Sequence, residues 1–199
     1  MPTRRQAVIF DMDGTLIRQH LDFDLIRREI GLGEGPVLEA IARMSAEEAS
    51  RATAILERHE AVAAEACELQ DGAVEVIEVL RSRAISVALM TRNSRRSVDV
   101  FLAKHRLAFD LVWTREDGPM KPSPEPIFRV CSRLDVRPAD AWTVGDFHYD
   151  IICGVRAGAK TVLFVEPGRA RPEYAGEADY VIEDLRELLE KMNISRLHR

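Results

Sequence analysis

No apolar stretch in this chain approaches the roughly 18 residues a helix needs to cross a bilayer, and the opening residues Met1 to Gln6 are short and polar. That excludes a membrane-spanning reading and makes a cytoplasmic location the expectation. Cysteine is scarce. Cys67, Cys131 and Cys153 are odd in number, far apart and without a C-x-x-C pair, which excludes a zinc knuckle or redox motif and leaves buried free thiols as the expectation. Glycine and proline number only 11 and 9, and with 46% hydrophobic residues this excludes disorder or a fibrous repeat. Positive charge is in deficit too: 28 Lys and Arg against 33 Asp and Glu leave a formal charge of -5. A phosphate-backbone binder needs a basic excess, and Arg92, Arg95 and Arg96 do not supply one, so neither nucleic acid nor a membrane is expected as partner. What remains is a soluble globular chain of 199 residues, one domain with a small appendage.

The apolar residues fall in short runs. Ala7 to Phe10 is continuous, as in a parallel strand covered on both faces, and ends at Asp11. Ile85 to Met90 stops at Thr91, and Ala141 to Val144 stops at Gly145-Asp146. Leu111 to Thr114, Thr161 to Val165 and Tyr180 to Ile182 are further strand candidates. Helical patterns lie between them at Val74 to Leu80, Val98 to His105, Pro124 to Leu134 and Ile151 to Ala157, with Ser123 read as an N-cap and Pro124 as the first helical residue. Alternating strand and helix predicts an α/β fold with a doubly wound parallel sheet. The exception is 16–70, which carries helical stretches (Pro36 to Met44, Ala46 to Leu69) and no convincing strand. It reads as a helical insertion after the first strand, leaving 1–15 and 71–199 as the α/β domain.

Four signals sit where predicted strands end, at the edge where open α/β sheets place their ligands. The first is Asp11-Met12-Asp13-Gly14-Thr15, a D-x-D-G-T pattern expected by accident about twice in a thousand chains of this length. A calcium loop is excluded, because the fifth, sixth and twelfth positions are Thr15, Leu16 and Asp22. The second is Asp146 and Asp150, one helical turn apart; alone they could cap a helix, and with Asp11 nearby they point to an oxygen site for Mg²⁺. The third is Thr91, followed by Arg92, Asn93 and Ser94, where a hydroxyl and free N–H groups would hold an anion or merely cap a helix. The fourth is Lys121, whose ammonium Pro122 and Ser123 would hold near the sheet edge.

Together, Asp11-x-Asp13-Gly14-Thr15, Thr91, Lys121 and Gly145-Asp146-x-x-x-Asp150 resemble the haloacid dehalogenase superfamily of phosphatases, in the subgroup whose helical cap follows the first strand. The similarity runs from about Ala7 to Met192 and is nearest to the phosphoglycolate phosphatase-like hydrolases. It implies a Rossmann-like core with 16–70 as the cap. It implies Asp11 as nucleophile forming an aspartyl-phosphate, Asp13 as general acid and base, and Mg²⁺ held by Asp11, Asp146 and the main-chain carbonyl of Asp13. Lys121, Thr91 and Arg92 would bind the phosphoryl group, and Asp150 would orient Lys121 or a metal-bound water. The substrate implied is a small phosphorylated metabolite. True dehalogenases carry no aspartate at the Asp13 position, so phosphate chemistry is implied. Two departures from the pattern, a short cap and Arg92 in place of the Asn often found after Thr91, bear on the substrate.

Two other functions share these residues: a sugar-phosphate mutase of the same fold, and a phosphate-binding module without turnover, although the latter usually lacks the nucleophile or acid. The five histidines, at positions 20, 59, 105, 148 and 198, show no metal-ligand spacing. Trp113 and Trp142 fall in predicted strands and read as core. Arg18, Arg27 and Arg28 read as a solvated helix face, with a substrate-binding role as the alternative.

Overall fold

The structure, a computed structural model, describes residues 5–18 and 21–194, so His20 and His198 lie outside the described residues. Its strands are β1 (Ala7–Phe10), β2 (Ser86–Met90), β3 (Leu111–Trp113), β4 (Ala141–Gly145), β5 (Lys160–Phe164) and β6 (Tyr180–Ile182). Its helices are α1 (Phe23–Ile30), α2 (Val37–Ile41), α3 (Ala46–Ala66), α4 (Ala73–Ser82), α5 (Arg95–His105), α6 (Glu125–Leu134), α7 (His148–Ala157) and α8 (Glu187–Lys191). The six strands form one parallel sheet in the order β3-β2-β1-β4-β5-β6, the doubly wound α/β arrangement the sequence pattern predicts.

β1 is central, with Phe10 opposite Leu89 on one side and Val144 on the other. The chain builds outward from β1 through β2 to β3 and then returns to start β4 on the opposite flank. The strand order therefore reverses between β1 and β4, which is where such sheets open a crevice at their carboxyl ends. Ala7 and Ile9 enter a cluster with Met90, Ile127, Val130 and Cys153, while Val8 and Phe10 are fully buried on the other face. Burial on both faces explains the unbroken apolar run, and each large side chain so buried contributes roughly 1.5–3 kcal/mol. Trp113, Trp142 and all three cysteines are buried, the cysteines as free thiols.

Helix starts differ from the sequence expectation by a few residues. α5 begins at Arg95, with Ser94 as the N-cap whose side chain accepts from the Ser97 N–H at 3.3 Å. α6 begins at Glu125, with Pro124 at the cap and the Ser123 hydroxyl accepting from Glu125 N–H at 3.3 Å. α3 ends at Ala66 and not at Leu69, because the next residues turn to pair with the segment after the D-x-D-G-T loop. There Arg18 N–H donates to the Glu68 carbonyl and Gln70 N–H to the Leu16 carbonyl, each at 2.9 Å.

The chain divides into two compact units, one of Met1–Arg18, Glu68–Arg92 and Leu107–Arg199, the other of Gln19–Cys67 with Asn93–Arg106. The first holds the sheet. The second is helical, with Ile26, Val37, Ile41, Ala52 and Leu56 as its core. Ser45 and Glu48 form a reciprocal capping box at the start of α3. At its other end Lys104 of α5 donates to the carbonyls of Glu65 and Cys67 at 2.6 and 2.7 Å, satisfying groups the last helical turn leaves open. Among the described residues no helix is long and apolar enough to cross a membrane.

Candidate active site

Asp11 is the first residue past β1, and its N–H still donates to the Val144 carbonyl at 2.9 Å, which pins it to the sheet edge. The chain then turns tightly, the Met12 carbonyl accepting from Thr15, Leu16 and Ile17 N–H at 3.3, 2.9 and 3.0 Å. Gly14 is required there on two counts. Its φ of +77° disfavours any side chain, and a Cβ would fall 2.2 Å from Asp146 Oδ2. The Thr15 hydroxyl donates to Asp146 Oδ1 at 3.3 Å, so the first motif grips the second directly.

Lys121 is buried, and its ammonium donates to Asp11 Oδ1 at 2.5 Å and to Asp150 Oδ1 at 2.6 Å. Asp150 reaches back from the first turn of α7, its Oδ2 accepting from Phe147 N–H at 3.2 Å. Gly145 makes room for that: a Cβ there would sit 2.1 Å from Asp150 Cγ. Asp11, Asp146 and Asp150 present carboxylate oxygens within 4.8 Å of one another. Three carboxylates face one ammonium, an excess of two formal negative charges when all are ionised.

The acidities follow. Burial raises Asp11 from 3.8 to about 6, against the pull of Lys121 and with the help of Asp150. Burial raises Asp146 well above 3.8, and the charges of Asp11 and Asp150 add to it. Burial by itself would lower Lys121, but Asp11 and Asp150 outweigh it and hold the ammonium firmly protonated. Cys153, whose thiol donates to the Ser123 carbonyl at 2.9 Å, is pushed to about 12, chiefly by burial, and stays a thiol at neutral pH.

The structure thus joins Asp11, Lys121, Asp146 and Asp150, which the sequence presents on three separate strand ends. Asp13 lies half-buried on the Asp11 turn, and its carboxylate is outside the three-carboxylate cluster. Thr91 is buried at the end of β2, and its N–H donates to the Trp113 carbonyl at 2.9 Å. That N–H therefore continues the sheet, and of the groups the sequence suggests as an anion site it is already used. Arg92 is half-buried, its guanidinium 5.0 Å over the Tyr149 ring. Arg27 pairs with Asp24 of its own helix and Arg18 with Asp71 and Glu166, while Arg28 is exposed. His59 and His148 pair with Glu29 and Glu177, and His105 meets the Cys67 thiol at 3.4 Å.

Sequence reasoning passed over the rings inside Gly145-Asp146-Phe147-His148-Tyr149-Asp150. Phe147 lies 5.1 Å from Tyr149 and 6.5 Å from Tyr174, edge-on to both. Tyr174 stacks on His148 at 4.5 Å and donates to the Asp146 carbonyl at 3.2 Å. Three adjacent rings between two carboxylates of the cluster were the available signal.

A parallel α/β sheet carrying an acidic cluster and a buried lysine at its switch point defines a doubly wound α/β protein with a ligand crevice there. The sequence profile of the haloacid dehalogenase-like hydrolases matches residues 8–164, and the chain belongs to that family. It is 34% identical over 185 residues to a haloacid dehalogenase-like hydrolase domain-containing protein of Arabidopsis thaliana, covering 86% of this chain and 75% of that one. It is 35% identical over 120 residues to the pyrophosphatase PpaX of Bacillus mycoides, which spans 58% of this chain and 55% of the pyrophosphatase. The crystal structure of a predicted phosphoglycolate phosphatase from Haemophilus somnus shares the fold, with a TM-score of 0.74 at 18% identity over 96% of this chain and all of that one.

Proposed function

We propose that this hydrolase is a Mg²⁺-dependent phosphatase that cleaves a small phosphomonoester through an aspartyl-phosphate on Asp11. The observation that carries the reading is the lysine bridge: one buried ammonium binds Asp11 and Asp150 at once, inside a carboxylate cluster too negative to receive a phosphate unaided. The names of the pyrophosphatase relative and of the phosphoglycolate phosphatase fold neighbour support phosphoryl hydrolysis in general, and the second supports a phosphomonoester.

The donor set fits Mg²⁺, since its groups are hard oxygens and its excess charge is that of a divalent cation. Asp11, Asp146 and the main-chain carbonyl of Asp13 would hold the ion, which when bound would screen the phosphoryl charge and polarise its oxygens. Without cations, each carboxylate–phosphate charge pair near 4 Å is repulsive by about 4 kcal/mol at an effective dielectric of 20. Lys121 offsets part of this and fixes the direction of Asp11. Asp150 holds Lys121 in turn, because one of its oxygens takes the ammonium and the other the Phe147 N–H. Asp11 attacks phosphorus while the bond to the ester oxygen breaks, and Asp13 gives its proton to that departing oxygen. Asp13 then takes a proton from the attacking water, and inorganic phosphate leaves with Asp11 regenerated. Thr91 and Arg92 orient the phosphoryl oxygens.

The test is release of inorganic phosphate from a panel of phosphomonoesters, with and without Mg²⁺, alongside thermal melting. Mg²⁺ at about 100 times its Kd should add about 2.7 kcal/mol, a rise in Tm of about 5–10 °C for a chain of this size. EDTA should remove both the activity and the rise. Release from no ester in Mg²⁺ would defeat the reading, and label returned to a hexose phosphate without free phosphate would make the protein a mutase.

Asp13→Ala should discriminate by leaving group, because protonation helps most when the leaving oxygen is a strong base. Phosphorylation of the enzyme by alkyl phosphates should slow by about 10²-fold or more, and by p-nitrophenyl phosphate much less. Pre-steady-state release of p-nitrophenol should show a burst as aspartyl-phosphate accumulates. An equal loss in that step for both esters would remove Asp13 as the acid.

A further inference from the structure

The helix that follows Asp146 starts in an unusual way. Its N-cap position is Phe147, which makes no side-chain cap hydrogen bond, where Ser, Thr, Asp and Asn are favoured. The residue is 54% exposed, so neither capping nor burial in the core accounts for it. Phe147 nevertheless does not stand alone, for it sits edge-on between Tyr149 and Tyr174. Both tyrosines are fixed from outside the ring cluster. Tyr174 donates to the carbonyl of Asp146, and Tyr149 lies under the guanidinium of Arg92.

The Arg92–Tyr149 contact locates this wall. Arg92 follows the end of β2 and Tyr149 follows the end of β4, and β1 is hydrogen-bonded between those two strands. The contact therefore spans the carboxyl end of the strand that delivers Asp11. An aromatic surface that includes the exposed Phe147 thus follows directly on Asp146 at the carboxyl end of β4, with the Arg92 cation over Tyr149.

We propose that Phe147, Tyr149 and Arg92 form the leaving-group subsite, and that it selects phosphomonoesters whose alcohol carries a planar aromatic ring close to the ester oxygen. The proposal rests on the phosphatase reading and names its substrate class. Phe147 offers its exposed ring to the substrate ring, Tyr149 supports it, and Arg92 holds Tyr149 and faces the anionic end of the ester. An offset or edge-to-face pair of rings adds about two- to tenfold in affinity beyond the area it buries.

Benzyl phosphate and cyclohexylmethyl phosphate test this, since both release primary alcohols of similar size and the two differ in whether the ring is flat and aromatic. In Mg²⁺, wild type should favour benzyl phosphate by about five- to tenfold in kcat/KM. Phe147→Ala and Tyr149→Leu should each bring that ratio below about two. Because each enzyme sample is read with both esters, a partly folded variant does not distort the ratio. A ratio near one in wild type, or one that both variants preserve, overturns the subsite. If wild type hydrolyses neither ester, the phosphatase reading is decided separately by release of phosphate from the wider ester panel. The subsite is then judged on the Kd ratio of benzylphosphonate and cyclohexylmethylphosphonate by calorimetry, with the same limits.

Discussion

Asp11→Asn is expected to lower phosphate release by about 10⁴-fold or more while leaving the melting temperature unchanged or higher. The activity loss follows from removing the reacting group, whose absence no neighbouring carboxylate can make good. The stability expectation has a different origin. Asp11 stands at about 6 in the folded protein against an ordinary 3.8, so its ionised form is disfavoured there, chiefly by burial. A neutral amide of the same shape removes that unfavourable charge and can still accept the Lys121 hydrogen bond through its oxygen. Phosphate release and thermal melting on one preparation check both halves. Activity above about one part in a hundred would sink the covalent mechanism, and a large fall in Tm would contradict the electrostatic account of the cluster.

Lys121→Met should do the reverse to stability. It strips the one ammonium from two buried carboxylates, which each lie within hydrogen-bond reach of it. Removing one partner of a buried ion pair costs about 3–5 kcal/mol, because the remaining charge stays desolvated. For a chain of this length that is on the order of 10 °C in Tm. Catalysis should fall by about 10²–10³-fold or more, as when a donor to developing charge is lost. The pH dependence has a definite sign. A carboxyl whose folded value is raised binds its proton more tightly when folded, so stability declines as pH rises from the ordinary 3.8 through the folded value. In wild type that decline from Asp11 ends near 6, and without Lys121 the window extends upward. The Tm deficit of the variant should therefore be smaller at pH 5 than at pH 8. A deficit independent of pH would mean that lost packing, and not uncompensated charge, explains it.

Both expectations concern residues whose convergence was legible in the sequence. Asp11, Lys121, Asp146 and Asp150 each follow a short apolar run, and the convergence of strand ends in a doubly wound sheet is enough to bring them together. The strands were equally legible, since a central parallel strand such as Ala7–Phe10 must be apolar on both faces. Helix starts were harder to place. Ser94 and Thr91 offer the same hydroxyl, and only the pairing of Thr91 N–H with the Trp113 carbonyl shows that sheet bonding reaches Thr91 and leaves Ser94 to cap the helix. The aromatic wall was missed because its meaning lies in tertiary contacts. Phe147 and Tyr149 are neighbours in sequence, but Arg92 and Tyr174 are far from them, and the Arg92–Tyr149 contact exists only once β2 and β4 flank β1.

The helix between β2 and β3 carries a consequence for how this chain could be shortened. α5 is the connection that a two-strand crossover of the sheet requires, yet it belongs to the helical unit, where Lys104 closes the end of α3 and His105 meets Cys67. Excising 19–67 as if it were a detachable cassette would leave α5 without the partners that Lys104 and His105 hold in Glu65 and Cys67. The segment 19–67 and the crossover helix form one compact unit. A minimal version of this enzyme would have to redesign the α5 surface along with the deletion.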